Sequence, residues 1–171
     1  EAFECSTLNA IHDLIYKYNK VVAKAPWSSS GRGIRFLDDT LDEHTQGWLR
    51  NTLRHQGTVM IEPLYNKVMD FGMEFYRYPD GKVEYLGLSL FQTVNGAYTG
   101  NLLDTETVKR DMLSRYISLD DLDAFTSAAC DYLGANLSYT GPFGIDMMAL
   151  EGRRLALAEI NLRRTMGHVA L

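Results

Sequence analysis

The sequence has little cysteine, no long apolar run and no excess of positive charge, and each absence excludes a class of protein. Its two cysteines, Cys5 and Cys130, are too few for a disulfide framework, and no closely spaced Cys/His set predicts zinc. No run of about 18 apolar residues predicts a membrane-spanning helix. The 17 Lys and Arg residues against 22 Asp and Glu give a net charge of −5, which argues against a charge-driven nucleic-acid binder. We therefore expect buried thiols, a cytoplasmic location, and neither a membrane nor a nucleic acid as partner.

The composition is that of a folded protein. The 171 residues are 46% hydrophobic and 11% aromatic, enough for one compact domain or two tightly joined lobes. The chain begins at Glu1 without an initiator methionine or a secretory signal pattern, and we interpret it as a segment of a longer polypeptide.

Hydrophobic periodicity and turn residues predict an α+β fold with two lobes, residues 1–61 and 62–171. In the first lobe we expect helix 8–18, strands 21–23, 34–36 and 58–61, and a helix behind the capping box Thr40-x-x-Glu43. In the second lobe we expect an antiparallel sheet and two helices, formed by hairpin 69–78/83–94, helices from Asp104 and Ser118, and hairpin 144–150/154–161.

Small residues follow the predicted strand at 21–23. The loop at 26–33 is rich in serine and glycine, so its backbone N–H groups could approach phosphate oxygens closely. Lys24 stands at the strand's exit, where an ammonium could meet a phosphate. The spacing of a P-loop is absent, and a surface loop with a solvated lysine remains an equal alternative.

The last hairpin collects polar residues on one face. If Glu151-Gly152 is a two-residue turn, Gly144 lies opposite Glu159, and Asp146 is the diagonal neighbour of Glu159 at about 7–8 Å. Alternation adds two further side chains to that face, Asn161 and Arg163. Two carboxylates and an amide oxygen suit Mg²⁺. The alternative is a solvated polar face on which Arg163 neutralises the acids.

Two further acids have weaker cases. Glu62 ends an apolar strand, and the backbone next to it could hydrogen-bond a purine in a hinge between the lobes. Asp70 could accept hydrogen bonds from ribose hydroxyls. The alternative for both residues is a plain polar end of a strand. The turn-rich stretch 95–101 is either a substrate loop or, by preference, an ordinary connection. The basic stretch 163–168 could hold an anionic substrate.

In this order, these motifs resemble the ATP-grasp superfamily. The resemblance is carried by Lys24-Ala25-Pro26 before the Ser/Gly loop, Val59–Leu64, Asp70–Glu74, Asp146 and Glu159–Arg163. It implies a fold of two small lobes with an antiparallel sheet in the C-terminal lobe and the nucleotide site between the lobes. Three departures stand out: only 23 residues precede Lys24, Asp70 replaces the usual glutamate, and Leu162 replaces the usual proline.

The resemblance also implies roles for single residues. Lys24 and Arg163 would be catalytic, and two Mg²⁺ ions (or Mn²⁺) would be held by Asp146, Glu159 and Asn161. ATP would be bound by Lys24, Ser28, Ser29, Ser30, Gly31, Gly33, Asp70 and the backbone at Glu62 and Leu64.

By the same resemblance, the chain is the ATP-binding portion of a ligase. Such an enzyme activates a small-molecule carboxylate as an acyl phosphate and couples it to an amine or similar nucleophile. The N-terminal lobe of the same polypeptide would be missing from this segment, and its absence could leave the segment inactive alone. The alternative is a non-catalytic ATP-binding regulatory module. The sequence names neither substrate and leaves the oligomeric state, including a homodimer, open.

Overall fold

The chain divides into two compact units, Glu1–Tyr65 and Asn66–Leu171. A computed structural model describes residues 1–28, 33–94 and 97–171, and at residues 93, 94 and 97 it describes the backbone alone. In the described part of the chain, every helix is too short or too polar to span a bilayer.

The first unit is a four-stranded antiparallel sheet with two helices. Its elements are β1 (Phe3–Cys5), α1 (Leu8–Tyr18), β2 (Val21–Lys24), β3 (Ile34–Leu37), α2 (Glu43–Gln56) and β4 (Val59–Pro63). The strand order is β1-β4-β2-β3. β4 therefore lies centrally and continues past the boundary predicted after residue 61. Apolar residues of both helices and of β1, β2 and β4 form one buried core.

Two sequence predictions in this unit need correction. Residues 3–5 form a strand that was not predicted, because three residues become a strand only by pairing with Val59–Ile61 far along the chain. The predicted capping box at Thr40 is wrong. Asp42 is the N-cap of α2 and accepts a hydrogen bond from the Thr45 N–H at 2.7 Å, whereas the Thr40 hydroxyl donates to Asp38.

The second unit contains a larger antiparallel sheet, a small hairpin and two helices. Its elements are β5 (Lys67–Arg77), β6 (Val83–Ser89), β7 (Phe91–Val94), β8 (Ala97–Asn101), α3 (Glu106–Ser114), α4 (Leu119–Asn136), β9 (Gly141–Leu150), β10 (Arg154–Asn161) and a 3₁₀ turn (Gly167–Val169). The large sheet has the order β10-β9-β5-β6, and β7 pairs with β8. Residues 97–101 therefore form a strand rather than the predicted connection; Asn95 and Gly96 lie outside the described residues.

The large sheet has one apolar face and one polar face. Phe71, Met73 and Phe75 of β5 belong, with Ile145 and Met147 of β9, to a buried core that includes residues of α3 and α4. Alternation along each strand turns the intervening residues to the opposite face. That opposite face carries the candidate site. On α3, Lys109 and Leu113 are buried while Val108 is 39% exposed.

Candidate functional site

Asp146 and Glu159 lie directly opposite each other on β9 and β10. The turn between these strands spans residues 151–153 rather than the two predicted, and Arg153 adopts a positive φ of 59° there. Together with a bulge farther along β10, this turn places Gly144 opposite Asn161, so the predicted pairing of Gly144 with Glu159 is wrong. A bulge between Leu157 and Glu159 shifts the register by one further residue.

The longer turn and the bulge compensate in their effect on side-chain direction. A one-residue slip moves every side chain of a strand to the other face, and two slips restore the original face. Because the bulge absorbs Ala158, the apolar residues Leu157 and Ile160 stay opposite Met147 and Ile145. The two carboxylates consequently share the polar face, as an opposed pair rather than a diagonal one.

A short hydrogen-bond chain runs across this face. The Asn161 side-chain amide donates from Nδ2 to Asp146 Oδ2 at 3.0 Å, and Asn161 Oδ1 accepts from Arg163 Nη2 at 3.2 Å. Asn161 thus connects the half-buried Asp146 carboxylate to the Arg163 guanidinium, and its amide oxygen points at the arginine.

The electrostatics of the face favour a bound cation. Burial raises the pKa of the Asp146 carboxyl, and the facing Glu159 charge raises it further, while the Asn161 hydrogen bond and the Arg163 charge lower it. Two like charges held in register repel each other, and a divalent cation between them would relieve that repulsion. Asp70 also acts on Asp146 as a nearby like charge.

The donor set is two carboxylates and an amide oxygen. Among the described residues, no group of three or more His, Cys, Asp or Glu side chains is arranged to hold a metal. Asp146, Glu159 and Asn161 fit Mg²⁺ by the chemistry of their oxygens, because this ion usually takes one or two carboxylates and completes its shell with water and phosphate. Rotation of the Asn161 amide would be needed to turn its oxygen toward such an ion.

Asp70 lies at the start of the same face and borders a surface pocket. Its carboxylate accepts from Lys67 Nζ at 2.6 Å. The pocket has a volume of about 460 Å³ and is lined by Lys67, Val68, Met69, Asp70, Phe91, Gln92 and Tyr116. The predicted ribose-binding acid is therefore engaged in an ion pair beside an open, largely apolar pocket.

In the first unit, Lys24 is held by Glu62. Lys24 Nζ lies 2.8 Å from both carboxylate oxygens of Glu62, across neighbouring strands β2 and β4. Both side chains are partly exposed, at 31% and 20%. The Leu64 N–H donates to the carbonyl of Lys20 at 3.0 Å, so this part of the predicted purine-binding backbone is bonded within the unit.

The ends of the Ser/Gly loop are close together. The Ala25 N–H donates to the Gly33 carbonyl at 2.8 Å, and a Cβ at Gly33 would overlap the side chain of Ser28. Gly33 is buried and Ser28 is exposed. Ser29, Ser30 and Gly31 lie outside the described residues, so their predicted role stays a prediction.

Sequence reasoning gave no role to a buried polar group beside the acidic face. Glu74 is 2% exposed, accepts from the Thr165 hydroxyl at 2.7 Å, and has its Oε2 atom 2.8 Å from His168 Nδ1. Its position in β5 puts it on the polar face, but its burial depends on residues 91 positions away. No local signal in the sequence marks this contact, because Glu74 and its partners are brought together only by folding.

The comparisons with known proteins are with solved structures. No family model matches the sequence, and no match was found among curated proteins. N5-carboxyaminoimidazole synthetase from Staphylococcus aureus, complexed with ADP, superposes with a TM-score of 0.73 and 11% identity over 97% of this chain and 40% of that one. D-alanyl-alanine synthetase A from Vibrio cholerae gives a TM-score of 0.68 and 13% identity, over 94% of this chain and 48% of that one.

A third structure comes from a carboxylase. The biotin carboxylase domain of the Hydrogenobacter thermophilus 2-oxoglutarate carboxylase, in complex with MgADP, ADP and bicarbonate, gives a TM-score of 0.69 and 17% identity, over 95% of this chain and 35% of that one. This chain thus spans less than half the length of each of these three structures. With identities this low, the similarity concerns the fold. The chain has the α+β ATP-grasp fold, with an antiparallel sheet in its C-terminal unit.

Proposed function

We propose that this chain is the ATP- and Mg²⁺-binding portion of an ATP-dependent ligase that joins a carboxylate to an amine or a similar nucleophile. The opposed Asp146–Glu159 pair, linked through Asn161 to Arg163, is the observation that carries the proposal. Support also comes from the fold, since solved structures with this fold hold ADP or MgADP.

Each residue in the proposal has a physical task. Asp146, Glu159 and Asn161 would hold Mg²⁺, which bridges phosphate oxygens and offsets their charge. Arg163 would stabilise the negative charge that develops on the transferred phosphoryl group. Lys24 would contact phosphate after exchanging its Glu62 partner for it. Asp70 would accept hydrogen bonds from ribose hydroxyls at the pocket that it borders.

The reaction proposed has two steps. A carboxylate oxygen of the substrate attacks the γ-phosphorus of ATP, the bond to the bridging oxygen breaks, and ADP leaves with that electron pair. An amine nitrogen then attacks the acyl carbon, inorganic phosphate leaves, and the nitrogen loses a proton. In both steps the chain's own residues would act by positioning and by electrostatic stabilisation.

A regulatory module that only binds ATP is the second candidate. The Lys24–Glu62 ion pair favours it, because the predicted phosphate-contacting lysine is paired with a carboxylate of the chain itself. The arginine on the acidic face favours the ligase, since a module that only senses the nucleotide needs no group aimed at a transferred phosphoryl. Both candidates predict a reducing compartment such as the cytoplasm, consistent with free thiols at Cys5 and Cys130.

Ligand-induced stabilisation tests nucleotide binding in either case. At 100 times its dissociation constant, MgATP should add about 2.7 kcal/mol to the free energy of unfolding and raise the melting midpoint by roughly 5–10 °C. The shift should vanish in Glu159→Ala. It should persist in Glu151→Ala, a matched control because this glutamate lies exposed in the turn of the same hairpin.

Turnover separates the two candidates. ADP release from ATP and Mg²⁺ is measured against a panel of carboxylates, each with and without an amine. Carboxylate-dependent ADP release that Glu159→Ala abolishes supports the ligase. A MgATP-induced melting shift without ADP release from any pair identifies the binding module, and unchanged ADP release in Glu159→Ala removes the metal assignment.

A further inference from the structure

The segment that follows the acidic face is tied down by a buried carboxylate. Glu74 lies on β5 and is 2% exposed, and its Oε2 atom contacts two residues of the segment Arg163–His168 (the arginine segment). Oε2 accepts from the Thr165 hydroxyl at 2.7 Å and lies 2.8 Å from His168 Nδ1. Burying a carboxylate is costly, so a carboxylate placed here needs these partners.

The hydrogen bonds around His168 require a proton between the two side chains. His168 Nε2 lies 3.2 Å from the Phe75 carbonyl oxygen, which can only accept, so Nε2 carries a hydrogen. A neutral imidazole would then face Glu74 Oε2 with the lone pair of Nδ1. The 2.8 Å separation of Nδ1 and Oε2 is favourable only with one proton shared between them.

Three glycines leave the space that Glu74 occupies. A Cβ at Gly72 would lie 3.2 Å from Glu74 Oε1, and one at Gly144 would lie 2.8 Å from Oε2. A Cβ at Gly167 would overlap the carboxylate itself. The backbone of β5, of β9 and of the 3₁₀ turn thus closes around the carboxylate, and a side chain at Gly144 or Gly167 would displace it.

The same contacts constrain the position of Arg163. The backbone nitrogen of Thr165 lies 3.2 Å from His168 Nδ1, so the arginine segment is folded back on itself two residues beyond Arg163. Arg163 in turn donates to Asn161 Oδ1. Its charge acts on both neighbouring acids, since it lowers the pKa of Glu74 and of Asp146 against the larger raising effect of burial.

We propose that Glu74 is a positioning residue: together with His168 it holds Thr165, and so fixes the backbone that aims the Arg163 guanidinium across Asn161. This inference rests on the proposed function, in which Arg163 stabilises the transferred phosphoryl group. A displacement of about 1 Å in such a group can lower the rate of a reaction by roughly a hundredfold. Glu74 therefore acts on the rate through Arg163 without touching the nucleotide.

Paired variants separate positioning from general stability. Thr165→Val removes the hydroxyl that donates to Glu74 while nearly preserving shape, and Thr165→Ser restores it. Glu74→Ala removes the carboxylate, and Glu74→Gln keeps its shape should the alanine variant fail to fold. Glu106→Gln is the matched control, because Glu106 is a carboxylate of the same unit that holds the Tyr85 hydroxyl and the Leu88 N–H instead.

The kinetic readout is the split between kcat and the KM for ATP, measured by Mg²⁺-dependent ADP release. We expect Glu74→Ala and Thr165→Val to lower kcat by about tenfold to a hundredfold with little change in KM, because an interaction specific to the transition state is lost. Thr165→Ser and Glu106→Gln should keep both constants near the wild-type values. Hydrogen exchange of the Thr165 N–H, without nucleotide, should accelerate in Glu74→Ala and not in Glu106→Gln.

Each contrary outcome has its own meaning. If Thr165→Val and a folded Glu74 variant, either Glu74→Ala or Glu74→Gln, keep the wild-type kcat, the positioning role is overturned. The proposed function still stands in that case if the wild-type protein releases ADP and Glu159→Ala does not. An equal fall in kcat for Glu106→Gln also overturns it, since the effect would then follow stability alone. A wild-type protein that releases no ADP with any substrate pair overturns the ligase function, and the positioning role with it.

Discussion

The two units place charge on their sheets in opposite ways. In the first unit, the Lys24 ammonium sits between both oxygens of Glu62, so the pair is neutral as a whole. In the second unit, Asp146 faces another carboxylate, Glu159, and the Arg163 guanidinium is hydrogen-bonded to the Asn161 amide rather than to either carboxylate. The first arrangement is balanced within the chain, whereas the second is left with excess negative charge on a partly buried face.

This difference indicates which unit gains most from which ligand. An opposed carboxylate pair gains directly from a divalent cation, because repulsion is replaced by attraction. A lysine already paired gains from a phosphate only what exceeds its interaction with glutamate. We therefore expect metal-dependent binding to depend strongly on the second unit and the first unit to adjust affinity more weakly.

The largest expected effect is that of Asp146→Asn. If Asp146 holds the metal as proposed, its loss should weaken MgATP binding by at least about a hundredfold, since even indirect metal contacts are worth 10–100-fold. The unfolding free energy of the nucleotide-free protein should stay the same or rise, because a half-buried like-charge contact disappears. Calorimetric titration and urea unfolding measure the two quantities, and a variant that binds MgATP normally would contradict the assignment.

Lys24→Met should have a smaller effect, of about tenfold on the dissociation constant for ATP, which corresponds to about 1.4 kcal/mol. The companion variant Glu62→Gln sharpens the contrast between the units. It releases the lysine from its carboxylate and should leave ATP affinity unchanged or a few-fold tighter. Equal weakening by both variants would show that the ion pair itself, rather than the free lysine, supports binding.

The smallest expected effect is that of pH on stability, and the direction of this effect should differ between the two units. Burial raises the pKa of Asp146 above its ordinary value of 3.8, so the folded state holds its proton more tightly than the unfolded state. This contribution to stability is present below pH 3.8 and is lost as pH rises through the raised value. Glu74 has the same sign, because burial raises its pKa above 4.5.

The first unit contains carboxyls with the opposite shift. Hydrogen bonds from Thr40 lower the pKa of Asp38, and hydrogen bonds from Thr45 lower that of Asp42, both from 3.8. Their contribution is present above pH 3.8 and is lost as pH falls through the lowered values. Acidification from pH 7 to about 4.5 should therefore stabilise the second unit selectively.

Amide exchange resolved by unit, corrected for the intrinsic pH dependence, measures this difference. Tryptophan fluorescence gives an independent view of the first unit, because both tryptophans, Trp27 and Trp48, belong to it. Asp146→Asn should reduce the pH response of the second unit and leave that of the first unchanged. Parallel responses in the two units would refute the predicted contrast.

Local signals predicted much of the fold. The apolar spacing of residues 8–18 predicted α1 with its observed bounds, because a buried stripe at helical period needs no distant information. Ser118 caps α4 through the Asp121 N–H at 3.4 Å, as the motif indicated. β1 was missed because a three-residue strand is defined by its partner.

The candidate site was predicted only in part, because it combines a local pattern with strand pairing. Alternation along β9 and β10 assigned Asp146 and Glu159 to one face, and this assignment is correct because the longer turn and the bulge compensate. Their register was wrong, because neither the turn at 151–153 nor the bulge near Ala158 has a unique local signature. The role of Glu74 was not foreseen, since its partners Thr165 and His168 reach it only through folding.

Within each regular stretch of strand, the order of apolar and polar residues alone determined which side chains share a face, because strand periodicity is a property of neighbours in the chain. The folded chain alone decided which of those side chains meet. Lys24 found Glu62 across 38 residues and Glu74 found Thr165 across 91, and such contacts depend on strand pairing, burial and the room left by glycines. These are properties of packing at long range, and no window of sequence contains them.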